Sequence, residues 1–228
     1  DQMPGIGESA VIGVPHPDFG EGVVAVVMGE GDEAAMVAEA RRQLAAYKAP
    51  KRIIFVDELP RNAMGKVQKR EVAAAWTTIT VRPATFDEAD RCAAWNIAMA
   101  LETEGVTLET DLALAGARGV FDRDGVDYFI ATVAGLPVGQ VMVTREWSDW
   151  RCADVWWLQS VYVLPAWRGR GVYAAMHAAV RARAEEAGAA GIRLYVDHRN
   201  KRAQAVYRAV GMNGEHYATF EEMFGGPA

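Results

Sequence analysis

The run Trp167-Arg168-Gly169-Arg170-Gly171-Val172-Tyr173 follows a strand-like stretch, Trp156 to Val163, and opens the amphipathic stretch Ala174 to Ala187. In the first turn of a helix the backbone N–H groups have no intrahelical partner and point outward, where they can meet an anion. Two glycines and two arginines placed there add backbone freedom and positive charge, the arrangement that cradles a pyrophosphate. A glycine-rich strand-to-helix turn is a weak signal alone, because several nucleotide folds and plain turns share it. Here a second unit of the same kind follows: strand-like Ile192 to Asp197, then helix-like Asn200 to Val210, then Gly211-Met212. Repeated strand–helix units of this kind require a sheet covered by helices.

A chain of 228 residues that is 51% hydrophobic can bury one large core or two small ones. No apolar run reaches the length of a membrane span and no signal peptide is visible, so the expectation is a soluble, cytoplasmic protein without membrane partners. Cys92 and Cys152 are too few for a disulfide framework and lack metal-ligand spacing; buried or inert thiols and no metal are expected. The net charge of −6 argues against nucleic acid as a partner. Locally, however, Arg168, Arg170, Arg181, Arg183, Arg193, Arg199, Lys201, Arg202 and Arg208 face only Glu185, Glu186 and Asp197. Such a basic field suits a polyphosphate ligand, though Arg181 and Arg183 read equally well as solvated helix positions.

The first third of the chain is organised separately. Ser9–Val14, Gly22–Val27 and Arg52–Val56 are strand-like, Asp32 is placed to cap a helix running to Ala46, and Gln68–Trp76 reads as a short helix. From Thr78 the pattern restarts. Thr80–Ala84 reads as a strand, and Thr85 with Glu88 as a helix-opening capping box. Helices follow through Cys92–Leu101 and Leu108–Gly119, then strands Asp127–Ala134 and Pro137–Glu146 across a hairpin turn. With a last strand near Ala218–Phe224, the order from Thr78 is β-α-α-β-β-β-α-β-α-β.

The second part resembles the GNAT N-acyltransferase superfamily. The family loop, Gln/Arg-x-x-Gly-x-Gly/Ala, matches at Arg168 and Gly171 but carries Tyr173 at its last position, which should crowd the first helical turn. The signature Asn-x-x-Ala-x-x-x-Tyr-x-x-x-Gly-Phe/Met matches at Asn200, Ala203, Tyr207, Gly211 and Met212. The resemblance implies an α/β (α+β) fold: a mixed, mostly antiparallel GNAT sheet flanked by helices, here preceded by a small three-stranded α+β subdomain. It implies acetyl-CoA, or another acyl-CoA, as donor. Val161, Tyr162 and Val163 would lie along the pantetheine arm, Arg168, Gly169, Arg170, Gly171, Val172 and Tyr173 would form the pyrophosphate loop, and Asn200 and Ala203 would complete the coenzyme site. Asn200 serves as well for a helix cap. By the same resemblance Tyr207 is the general acid, against the alternative of a packed helix tyrosine.

No carboxylate lies on the central strand, where Gln159 and Ser160 cannot take a proton near neutral pH. Glu102 and Glu104 are therefore the candidate bases, with His198 a weaker choice. Trp147, Trp150, Trp156 and Trp157 offer walls for a cationic acceptor, or core.

The first part resembles the C-terminal subdomain of acyl-CoA synthetases of the adenylate-forming superfamily, in wording closest to malonyl-CoA synthetases. The matching stretches are Glu8–Glu21, Tyr47–Lys51 and Leu59–Lys69, and the family's catalytic lysine corresponds to Lys66. The large nucleotide-binding domain has no counterpart, and the first residue is Asp1. This predicts either the tail of a truncated synthetase–acyltransferase fusion or a docking element, with domains at 1–77 and 78–228.

Four functions are consistent with these features: transfer of an acetyl group to a primary amine; acetylation of a protein lysine, either Lys66 itself or its equivalent in a partner acyl-CoA synthetase; the C-terminal part of a malonyl-CoA synthetase–acyltransferase fusion; and a non-catalytic coenzyme A binding or scaffold protein. The oligomeric state is open, a homodimer among the options.

Overall fold

A computed structural model describes residues 5–16, 20–45, 47–215, 217–222 and 224. The chain divides into two compact units, Asp1–Thr78 and Ile79–Ala228.

In the first unit β1 (Ile6–His16) and β2 (Gly20–Gly29) are antiparallel, and β3 (Arg52–Val56) joins β2 in parallel, giving the order β1-β2-β3. The central strand is a nearly unbroken apolar run because it is covered on both faces. Ala25 and Val27 pack with Val37 of α1 (Glu33–Gln43) and Ile53, while Val24 and Val26 are buried on the opposite face. Asp32 caps α1 as its sequence position predicts, its carboxylate accepting the N–H groups of Ala34 at 2.8 Å and Ala35 at 3.1 Å. The helix stops at Gln43, short of the expected Ala46, with its C-cap Leu44 extended. Helix α2 (Lys69–Thr77) packs on β1.

The second unit holds a five-stranded sheet, β4 (Ile79–Pro83), β5 (Val126–Val133), β6 (Leu136–Ser148), β7 (Ala153–Val163) and β8 (Gly191–Arg193), in that order. Pairing is antiparallel as far as β7, and β8 joins β7 in parallel. Alternate residues of β5 face opposite helical layers, as a period of two requires. Tyr128 and Ile130 pack with Cys92 and Ala93 of α3 (Ala89–Glu104) and Ala117 of α4 (Thr110–Gly119). On the other face α5 (Val172–Glu186) buries Val172, Tyr173, Met176, His177, Val180 and Ala184 against the sheet. Helix α6 (Lys201–Ala209) follows β8. Cys92 is an inert core thiol whose ionisation burial pushes up to about 12, whereas Cys152 is exposed.

The Thr85–Glu88 capping box forms, but around a 3-10 turn, Phe86–Glu88, that precedes α3. Glu88 also accepts both arms of Arg82, at 2.7 and 2.9 Å, and Arg91 at 3.1 Å. The Arg82 bonds hold its carboxyl below the usual range.

Two expectations are corrected. The strand expected over Ile192–Asp197 is only three residues long, and the described residues of Ala218–Phe224 form no strand. Phe220 and Phe224 are almost fully exposed, so this segment buries no apolar surface to offset the entropy of ordering it.

Candidate functional site

The shortness of β8 shapes the site. It pairs only with Val155–Trp157, so beyond Trp157 the side of β7 facing β8 has no strand partner among the described residues. On its other side β7 carries a bulge, where the register slips between Gln140/Tyr162 and Met142/Gln159. Ser160 sits in the bulge at φ 47°, a conformation L-residues enter at a cost. Val161 and Val163 are half-buried, and Tyr162 is buried against Trp95 with ring centroids 6.1 Å apart.

A polar group that the sequence reading overlooked supports the bulge. Gln140 is completely buried, and its Nε2 donates to Asn96 Oδ1 at 2.7 Å and more weakly to the Cys92 and Ser160 carbonyls. Asn96 in turn donates to the Tyr128 hydroxyl at 2.9 Å. The available signal was a glutamine inside the apolar run Val138-Gly139-Gln140-Val141, where a buried polar side chain requires partners.

After β7 the chain makes a 3-10 turn, Pro165–Trp167, and crosses Arg168 to Gly171 into α5. Gly169 and Gly171 have φ of 73° and 80°, and a Cβ at either would meet nothing within 4 Å, so backbone conformation alone requires glycine. The first helical bond runs from Ala175 N–H to Gly171 O at 2.9 Å, which leaves the N–H groups of Val172, Tyr173 and Ala174 ahead of the ladder as an anion site needs. Arg170 lies over the Trp167 ring at 5.1 Å.

Tyr173 does not crowd this loop. Its side chain turns inward, 8% exposed, with the ring edge-on to Tyr207 at 5.1 Å and the hydroxyl donating to Met212 Sδ at 3.7 Å. Burial raises the ionisation of Tyr173 far above the usual phenol range. Tyr207, half-buried on α6, is also shifted upward by burial, so it keeps its proton throughout the neutral range. Asn200 takes the capping role, its Oδ1 accepting the Ala203 N–H at 3.0 Å. That N–H is thereby engaged within the protein.

Arg168 and Glu102, assigned separately to pyrophosphate and to proton transfer, instead meet each other. Both terminal nitrogens of Arg168 donate to the Glu102 carboxylate, one at 2.7 Å, and its Nε donates to the Val163 carbonyl at 2.8 Å. The guanidinium also lies over the Tyr162 ring at 5.5 Å. The hydrogen bond from Arg168 holds the Glu102 carboxyl below its ordinary range, which makes Glu102 a poor proton acceptor. Glu104, exposed at the end of α3, bears on the Tyr195 phenol and on Arg199.

Gln159 is bonded to Thr144 at 2.7 Å, and His198 is exposed in the loop before α6. Of the four tryptophans proposed as acceptor walls, Trp156 is core; Trp157 donates to Glu146 at 2.7 Å, and Trp147 and Trp150 are exposed at the end of the β6–β7 hairpin. Part of the basic field is neutralised, since Arg181, Arg193 and Arg199 pair with Glu185, Glu146 and Asp197.

In the first unit Lys66 is exposed on a tight turn. Asn62 Oδ1 accepts the N–H groups of Met64 at 3.1 Å and Lys66 at 2.9 Å, and Arg61 and Val67 bridge its ends. Among the described residues no group of three or more His, Cys, Asp or Glu is placed to hold a metal ion, and no helix is long and apolar enough to cross a membrane.

An open-edged, bulged β7 leading through a glycine loop into a helix defines the acyltransferase class that the motifs announced. The family model for the Acetyltransferase (GNAT) family matches residues 88–212, more than half of the chain, and the chain belongs to that family. Residues 2–66 match the AMP-binding enzyme C-terminal domain. Among solved structures, a possible acetyltransferase from Clostridium difficile 630 is 32% identical, covering 64% of this chain and 97% of that one with a TM-score of 0.60. The aminoglycoside enzyme AAC(6')-Iy, solved with a CoA-containing bisubstrate analogue, shares the fold at 20% identity and TM-score 0.53, over 64% of this chain and 99% of its own. The first unit is 49% identical over 70 residues to a sulfoacetate–CoA ligase of Cupriavidus necator, and this match covers 29% of the chain but 14% of the ligase. A long-chain-fatty-acid–CoA ligase of Escherichia coli O6:H1 is 42% identical over 74 residues, 31% of the chain and 13% of the ligase. The chain thus spans only about a seventh of the ligases it matches.

Proposed function

We propose that the chain transfers an acetyl group from acetyl-CoA to a primary amine, with 78–228 as the catalytic domain and 1–77 as a synthetase-type C-terminal subdomain. The observation that carries this reading is the unpaired stretch of β7 running into the Gly169–Gly171 loop, which offers a rail for pantetheine and N–H groups for pyrophosphate. The neutral amine attacks the thioester carbonyl; a C–N bond forms as the C–S bond breaks. Tyr207 gives its proton to the departing thiolate, and Glu104, directly or through water, takes the proton released by the amine. An acyl-CoA donor accords with a cytoplasmic setting.

Calorimetric titration with acetyl-CoA and malonyl-CoA tests this reading. Micromolar binding of one thioester is expected, weakened about tenfold or more in Gly171→Val, because a β-branched residue is strained at that positive φ. Wild-type protein that binds neither thioester refutes the acyltransferase reading and leaves a scaffold.

A second reading is favoured by the exposed, rigidly framed Lys66. Acetylation there, in cis or on the equivalent lysine of a partner acyl-CoA synthetase, would remove the positive charge. Incubation with acetyl-CoA and peptide mass spectrometry should then find Lys66 as the main modified lysine. An unmodified Lys66, with the equivalent lysine of an added synthetase unmodified as well, excludes it.

A further inference from the structure

Arg168 stands at the junction of three parts of the site. It opens the pyrophosphate loop, its Nε holds the carbonyl of Val163, the last residue of β7, and its terminal nitrogens grip Glu102, two residues before the end of α3. All three guanidinium nitrogens already donate within the protein, and its charge is opposed by a carboxylate in fork-to-fork geometry. The side chain is 22% exposed and that of Glu102 45%, so the pair is partly shielded from water.

We propose that Arg168 and Glu102 form a clasp that aligns the end of β7, and with it the pantetheine rail, against α3; both are positioning residues, Arg168 not a phosphate ligand and Glu102 not the catalytic base. The proposal rests on the acyltransferase reading above. Phosphate binding falls to the N–H groups at the start of α5, which need no side chain.

A ligand without phosphates separates the two roles of Arg168. Coenzyme A and pantetheine are titrated into wild type, Glu102→Gln, Arg168→Met and the double variant, with thermal melts to establish folding. Loss of alignment predicts that each single change weakens both ligands by a similar factor, about tenfold, and that the double variant binds no worse than Arg168→Met alone, since interacting residues are not additive. If Arg168→Met does not fold, Arg168→Lys replaces it, keeping the charge but not the two-pronged grip.

Loss of coenzyme A binding with pantetheine unaffected would make Arg168 a phosphate ligand and overturn the clasp. So would effects that multiply in the double variant, or variants that bind both ligands as wild type does. Wild-type protein that binds neither ligand removes the acyltransferase reading, and the clasp with it.

Discussion

Replacing Tyr207 by phenylalanine should lower kcat about 100-fold while changing acyl-CoA affinity less than about twofold, since the ring and its packing on Tyr173 remain. A thiolate is a better leaving group than an alkoxide or amide, so proton donation helps less than it would for a poorer one. The effect therefore falls at the low end of general-acid contributions, which run from about 10² to 10⁴. The pH profile supplies a second test. Burial raises the Tyr207 phenol, and the neutral form is the active one, so wild-type activity should hold through neutral pH and fall only above the ordinary phenol range. In the phenylalanine variant that alkaline decline should disappear. A variant with wild-type kcat would remove Tyr207 from the chemistry.

Gly139→Val should be the most damaging single change in the sheet. In an ordinary strand a side chain in place of glycine stabilises by about 0.5–1 kcal/mol, because less backbone entropy is lost on folding. At Gly139 a Cβ would stand 2.9 Å from the Tyr162 carbonyl, 3.2 Å from Val172 Cγ1 and 3.4 Å from Val163 Cγ2. Two of those neighbours lie at the end of β7 and the third opens α5, and backbone cannot swing aside as a flexible side chain can. Overpacking of this kind costs about 1–3 kcal/mol, which reverses the sign expected from strand propensity. Urea unfolding should show the loss, and acetyl-CoA titration should show binding weakened about tenfold or more as the rail shifts. A variant as stable as wild type would mean that β6 and β7 can move apart freely at this point.

The charge of Glu104, at the end of α3, raises the ionisation of Tyr195 and of Arg199 alongside larger causes. These residues lie far apart in sequence, and only the fold brings them near one another.

Local chemistry made much of the chain legible from its sequence. The Asp32 and Asn200 caps, the capping box at Thr85, the glycines of the loop and the hairpin between β5 and β6 depend on neighbours a few residues away, and each takes the place its pattern predicts. The three-stranded first unit was readable for the same reason, with two strand runs, a capped helix and a third run in order. Long-range partners were not readable. Nothing near Arg168 in sequence announces a carboxylate 66 residues away, so each residue was assigned a role it would have if left unpaired. Tyr173 seemed to crowd the loop because its direction depends on α6 packing against α5, and Gln140 passed unnoticed because its partners come from other elements. The strand expected over Ala218–Phe224 failed for a related reason: a strand is stable only when another strand or layer receives it, and sequence alternation says nothing about whether one is there. Sequence by itself determined the elements and the family motifs, because capping, turn and periodicity energies are local; tertiary structure alone decided which charges meet and which tyrosine faces inward, because those energies depend on what packing brings within reach.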